Sequence, residues 1–110
     1  MSKLHEQKCV ACEGGMPPLN ETEIEILSKQ INDWRNVNNR KIAKDFIFND
    51  FKEALGFVNQ VGQIAETENH HPDICLYDYK KVTITTTTHA IGGLSNNDFI
   101  IAAKIDETKK

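Results

Sequence analysis

The chain has 110 residues, 39% apolar and 26% charged, with a formal net charge of −3, enough for one domain built on one hydrophobic core. The acidic balance and scattered basic residues give no electrostatic ground for nucleic acid or an anionic membrane as the main partner. No apolar run approaches the roughly 20 residues of a membrane span, and the polar stretch Met1–Val10 lacks the apolar centre of a signal peptide, so a cytoplasmic location is expected.

Residues 1–18 carry Cys9, Cys12, Gly14-Gly15 and Pro17-Pro18 without periodicity, and read as an irregular arm laid over the core, ahead of a single domain at 19–110. A helix starts after Asn20, which caps it, with Glu23 placed to complete a capping box. Ile24, Leu27 and Ile31, with Ile26 beside them, give its stripe and predict an end near Asn32-Asp33, with Trp34 closing over the apolar face. Val37 ends a short strand, Asn38-Asn39 suits a tight turn, and the alternation of Ile42, Lys44, Phe46 and Phe48 with Ala43, Asp45 and Ile47 predicts a second strand.

Asn49 or Asp50 caps the longest helix, whose core face is expected to hold Phe51, Ala54, Leu55, Val58, Val61, Ile64 and Ala65. Pro72 disfavours helical geometry at His71, so this helix should fray by about Asn69. Ile74 to Tyr79 and Lys81 to Thr88 read as two further strands, the run Thr85 to Thr88 being β-branched and suited to a pleated surface. Gly92-Gly93 breaks the strand. Ser95 then caps a last helix, with Asp98 reaching back to the cap and Ile101, Ala102 and Ile105 as its inner stripe; residues 106–110 should fray. The order is α-β-β-α-β-β-α, with no internal repeat. Short connections make each strand pair antiparallel, so the predicted architecture is α+β: a four-stranded antiparallel sheet with three helices on one face.

Three histidines fall at element ends. His70 and His71 lie where the long helix gives way to a strand, and His89 where a strand gives way to a glycine loop. An imidazole titrates near neutral pH and can give or take a proton there. A histidine at a helix end is more often a dipole partner or simply solvated, but an adjacent pair whose second backbone is restricted by Pro72 is harder to dismiss.

The segment Glu66-Thr67-Glu68-Asn69-His70-His71-Pro72 resembles the signature of the pterin-4a-carbinolamine dehydratases, as does Val82 to His89 followed by Gly93-Leu94-Ser95 and Asp98. The likeness runs from about Leu19 to Asp106 and includes Trp34, Phe46-x-Phe48, Phe51 and Ala54 to Phe57. It implies removal of water from 4a-hydroxytetrahydrobiopterin to give quinonoid dihydrobiopterin, the step that recycles the pterin of aromatic amino acid hydroxylases. It implies His70 and His89 as the principal acid–base pair, in an order the sequence leaves open, and His71 as a catalytic-site neighbour that mainly binds and orients the pterin. Asn69 matches a pterin-contact position where some members have Asp; an amide can still hydrogen-bond the pterin, but a role requiring a carboxylate there does not transfer. Thr87, Thr88, Ala90 and Asp98 are candidate substrate contacts, the threonines equally well plain strand surface, and Asp98 as well either orients a histidine or caps its helix. The hairpin between Pro72 and Val82 is about one residue longer than in one common form of the family. No metal or other cofactor is implied, and a homodimer or homotetramer is.

Cys9-x-x-Cys12 with His5 offers three zinc ligands, but a structural zinc site needs four. The three cysteines, Cys75 included, are an odd number and are expected as free thiols. A rival reading is a binding module, since some animal members of the family also act as dimerisation partners of a transcription factor; nothing in these residues marks such a partner.

Overall fold

The structure is a computed structural model that describes residues 4–10 and 17–108. Helix α1 spans Glu21–Ser28, β1 Arg35–Val37, β2 Lys41–Ile47, α2 Phe51–Glu68, β3 Asp73–Tyr77, β4 Lys81–Thr86 and α3 Asn96–Thr108. The strands form one antiparallel sheet in the order β1-β2-β4-β3. The predicted α+β order and the antiparallel sheet are both present.

Local chemistry explains most boundaries. Asn20 and Glu23 form a reciprocal capping box at the start of α1. That helix stops at Ser28, short of the predicted Asn32-Asp33. After Ser28 the backbone tightens into bonds between residues three apart, Lys29 to Ile26 and Gln30 to Leu27, and Asp33 then takes a positive φ of 60°. Ile31 and Trp34 are buried nonetheless, held by a turn where a helix was expected. Asn38 and Asn39 both have positive φ, as a tight hairpin turn requires. Asp50, not Asn49, caps α2 by accepting from the Glu53 backbone. The second hairpin turns at Asp78 and Tyr79, both with φ of 50°, so β3 ends two residues before the predicted Tyr79.

The face of α2 needs correction. Ala54, Phe57, Val61 and Ala65 are its buried residues, while Phe51 and Leu55 are about half exposed, at 50% and 43%. The apolar arc of this helix is wider than one contact can cover. The buried strip is centred near Ala54 and Val61, which leaves Phe51 and Leu55 on its rim and brings in Phe57, absent from the predicted stripe. Phe57 packs on Phe46 and Phe48 of the second hairpin arm, with ring centroids 4.6 and 5.1 Å apart.

The C-terminal end is also firmer than expected. Helix α3 runs on to Thr108 rather than fraying after Ile105. Asp106 anchors it: its carboxylate accepts from Trp34 Nε1 at 3.1 Å, from the Asn32 backbone at 3.0 Å and from Lys44 Nζ at 2.9 Å. Side chains of Asp106 and Lys44 are only 8% and 17% exposed, so the pair is shielded from water. Asp106→Ala should therefore cost about 2–4 kcal/mol, because it leaves a mostly buried ammonium and an indole N–H without their acceptor. Urea unfolding measures this, and a loss below about 0.5 kcal/mol would show the anchor to be incidental.

Candidate active site

Strand β4 decides what the threonine run does. Val82, Ile84, Thr86 and Thr88 are buried in strict alternation, so Thr86 and Thr88 enter the interior where an apolar residue would otherwise sit. They do so because Asp98, with no exposed surface, lies opposite them near the start of α3. Thr86 Oγ1 donates to Asp98 Oδ1 at 2.6 Å and Thr88 Oγ1 to Oδ2 at 2.8 Å. The Ser95 N–H also donates to Oδ2 at 3.0 Å, the N3-to-cap half of a capping box, while Ser95 Oγ caps the helix one residue earlier by accepting from the Asn97 N–H at 3.2 Å.

The fourth group on Asp98 is His70 Nε2, 2.8 Å from Oδ1. As a carboxylate, Asp98 accepts from all four, which places the proton of His70 on Nε2 and leaves Nδ1 as its free nitrogen. Thr88 spends its proton on Asp98, so Ser95 Oγ, 2.8 Å away, donates to Thr88. Asp98 therefore caps its helix and orients a histidine at once.

The backbone delivers His70 to this point. Helix α2 ends in a left-handed Asn69, φ 53°, a conformation Asn tolerates. The His70 N–H then bonds back to the Ala65 carbonyl at 3.2 Å, closing the helix end. Extended geometry before Pro72 sends the next side chain the other way. His70 is 12% exposed, whereas His71 is 56% exposed and pairs with Glu66 at 2.5 Å.

His89 is set by a small closed loop. Thr88 and Gly93 pair across it, Thr88 N–H to Gly93 O at 2.9 Å, and Gly92 takes a positive φ of 68° to turn the chain back. Gly93 is also closely packed: a Cβ there would come within 2.8 Å of the Pro18 side chain, so a larger residue would force one of the two to shift. His89 starts the short 3₁₀ turn His89–Ile91, beyond the strand end at Thr86, and is exposed; its ring has no hydrogen bond among the described residues.

Asn69, His70, His71, Thr87, Thr88, His89 and Ala90 all line one cleft of about 530 Å³. Asp98 does not line it and acts on it through His70. The Thr87 hydroxyl donates to the Arg40 carbonyl at 2.6 Å, so like Thr88 it is engaged within the protein. Four further lining residues, Cys9, Val10, Glu68 and Asn97, are not among the substrate-site residues expected from the sequence. Glu68 and Asn97 each adjoin a predicted residue, which was the available signal. Nothing local in Cys9 or Val10 announces that the arm reaches this cleft.

Of the three candidate zinc ligands, two lie among the described residues. His5 lies near Glu6 and Glu107 at 3.9 and 3.8 Å, Cys9 Sγ lies 3.6 Å from the Asn97 carbonyl, and Cys12 is outside the described residues. Among the described residues no group of three or more His, Cys, Asp and Glu is arranged to hold a metal ion. No helix among them is long and apolar enough to cross a membrane.

The profile of the family described as pterin 4 alpha carbinolamine dehydratase matches residues 17–108. A Rubrobacter xylanophilus protein, provisionally named a pterin-4-alpha-carbinolamine dehydratase, is 48% identical over 106 residues, covering 96% of this chain and 98% of its own. An Alkaliphilus metalliredigens protein of the same provisional name is 45% identical over 108 residues, covering 97% and 96%. The crystal structure of a transcriptional coactivator/pterin dehydratase from Brucella melitensis superposes with a TM-score of 0.76 at 32% identity, over 82% of this chain and 96% of that one. A pterin dehydratase-like protein identified as a RuBisCO assembly factor in the alpha-carboxysome shares the fold, with a TM-score of 0.58 at 22% identity over 69% and 88% of the two chains. With the profile spanning nearly the whole described chain and close relatives matched end to end, this protein belongs to the pterin 4 alpha carbinolamine dehydratase family.

Proposed function

We propose that the chain dehydrates 4a-hydroxytetrahydrobiopterin to quinonoid dihydrobiopterin and water by histidine acid–base catalysis, recycling the pterin cofactor of aromatic amino acid hydroxylases in the cytoplasm. The observation that carries this reading is the meeting of His70, His71 and His89 on one cleft, with His70 held at 2.8 Å by a fully buried carboxylate.

The reaction breaks the bond between C4a and its hydroxyl. One proton goes to the departing oxygen, one leaves the pterin ring, and the sum is loss of water. No electron changes hands, so the chemistry as written asks for neither a redox cofactor nor a metal. His70 suits the base. Its Nε2–H is committed to Asp98, Nδ1 can accept a proton, and the imidazolium that forms is stabilised by the Asp98 charge. His89, exposed and uncommitted, suits the acid that protonates the leaving hydroxyl. His71, oriented by Glu66, suits a binding role at the rim. Asn69, Thr87, Thr88 and Ala90 complete the cleft and are proposed to contact the pterin through side-chain or backbone groups.

Purified protein should accelerate dehydration of chemically generated 4a-carbinolamine, followed by absorbance; a rate equal to the spontaneous one would remove the enzyme reading. His89→Ala should lower turnover about 100-fold to 10,000-fold without unfolding the chain, and wild-type turnover in that variant would take His89 out of the mechanism. Asp98→Asn should reduce turnover about 100-fold or more in protein whose circular dichroism is unchanged, because an amide neither fixes the His70 tautomer nor balances its charge. Retention of full activity would assign Asp98 to helix capping alone.

A homodimer or homotetramer forms part of the same proposal. Ile47, Phe51, Leu55, Tyr77 and Tyr79 are large apolar side chains left exposed on the single chain, consistent with a contact between copies. Light scattering at micromolar concentration should give two or four times the mass of one chain, and a monomer would refute this part.

A further inference from the structure

The family profile begins at residue 17, yet the cleft is also walled by Cys9 and Val10. Several bonds hold that stretch in place. Asn97, itself 4% exposed, clasps Val10 as a neighbouring strand would: its Oδ1 accepts from the Val10 N–H at 3.0 Å and its Nδ2 donates to the Val10 carbonyl at 2.5 Å. The Cys9 N–H donates to Glu68 Oε1 at 2.8 Å. Glu68 in turn lies 3.7 Å from Lys104 Nζ, and Lys104 donates to the His5 carbonyl at 2.8 Å. Upstream, Leu4 is buried in the main core.

These anchors adjoin the proposed base, His70, and the carboxylate that orients it, Asp98. Glu68 is the last residue of α2, two before His70, and Asn97 immediately precedes Asp98 in α3. The arm and the acid–base machinery thus share one support. Despite its pinned backbone, Val10 leaves 71% of its surface exposed, a large apolar exposure for a residue that lines a cleft. The other lining side chains are mostly imidazole, hydroxyl, amide and carboxylate, with Ala90 the small apolar exception. A planar heteroaromatic ring has polar edges and apolar faces, and the polar groups suit the edges while Val10 suits a face.

We propose that the N-terminal segment is a working wall of the cleft, with Val10 contacting the bound pterin ring and Asn97 as the positioning residue that holds it there. This rests on the dehydratase reading, and it assigns the segment to substrate binding rather than to proton transfer.

Steady-state kinetics of the full chain test it, alongside amide exchange at Cys9 and Val10 measured by NMR with and without 7,8-dihydrobiopterin as a stable probe. Asn97→Ala and Val10→Ser should each raise KM roughly tenfold and leave kcat within about twofold. In the wild type, the probe should slow exchange at the Val10 amide, and in Asn97→Ala that amide should exchange faster even without the probe. Should Asn97→Ala fail to fold, Val10→Ser alters only an exposed side chain and carries the test. Wild-type KM in Val10→Ser, with Val10 exchange indifferent to the probe, overturns the wall while leaving the dehydratase reading intact. A wild-type protein that neither accelerates dehydration nor binds the probe overturns both.

Discussion

A carboxylate with no exposed surface sits where the end of β4, the end of α2 and the start of α3 meet, and each of these sends it a donor. Placing Asp98 there costs several kcal/mol in lost hydration. Charge-assisted hydrogen bonds return about 1.5–3 kcal/mol each, and with His70, Thr86, Thr88 and Ser95 all donating, the buried charge is fully met. Much follows from that arrangement. Thr86 at the end of β4 and Thr88 just beyond it face the interior, α3 begins where it does, and an imidazole from just past the end of α2 is held against the carboxylate by its Nε2.

The same arrangement explains how two adjacent histidines serve different ends. Asn69 turns the chain left-handed, and Pro72 forbids a return to helix at His71. One ring is thereby sent inward to Asp98 and the next outward to Glu66. His89 arrives by an independent route, on a loop closed by the pairing of Thr88 with Gly93. Since Thr88 also binds Asp98, even this loop is tied to the buried carboxylate.

What could be read from the sequence was mostly what local chemistry determines. Asn20, Asp50 and Ser95 announce helix starts through their side chains, Asn38-Asn39 announces a turn, and alternation along β2 and β-branched residues along β4 announce strands. Tertiary contacts decided what was misread. Phe51 and Leu55 satisfy the helical period of α2 but lie beyond the strip that the sheet and α3 cover. Helix α3 outlasts its apolar stripe because Asp106 is bonded to residues far away in the chain. The histidines were visible as residues at element ends, and Asp98 as a cap. That one carboxylate does both jobs required knowing that β4 runs beside α3. Cys9 and Val10 had no local signature at all, because their place depends on Asn97 and Glu68, most of the chain length away.

In the proposed mechanism Asp98 holds the proton of neutral His70 on Nε2 and leaves Nδ1 to accept the substrate proton. Long-range ¹H–¹⁵N correlation spectra of the full chain, with the His70 signals assigned through a His70→Gln variant, report that tautomer directly. Neutral His70 should show the Nε2–H tautomer and lose it on Asp98→Asn. A neutral His70 protonated at Nδ1, or a ring whose tautomer is indifferent to Asp98, would contradict it.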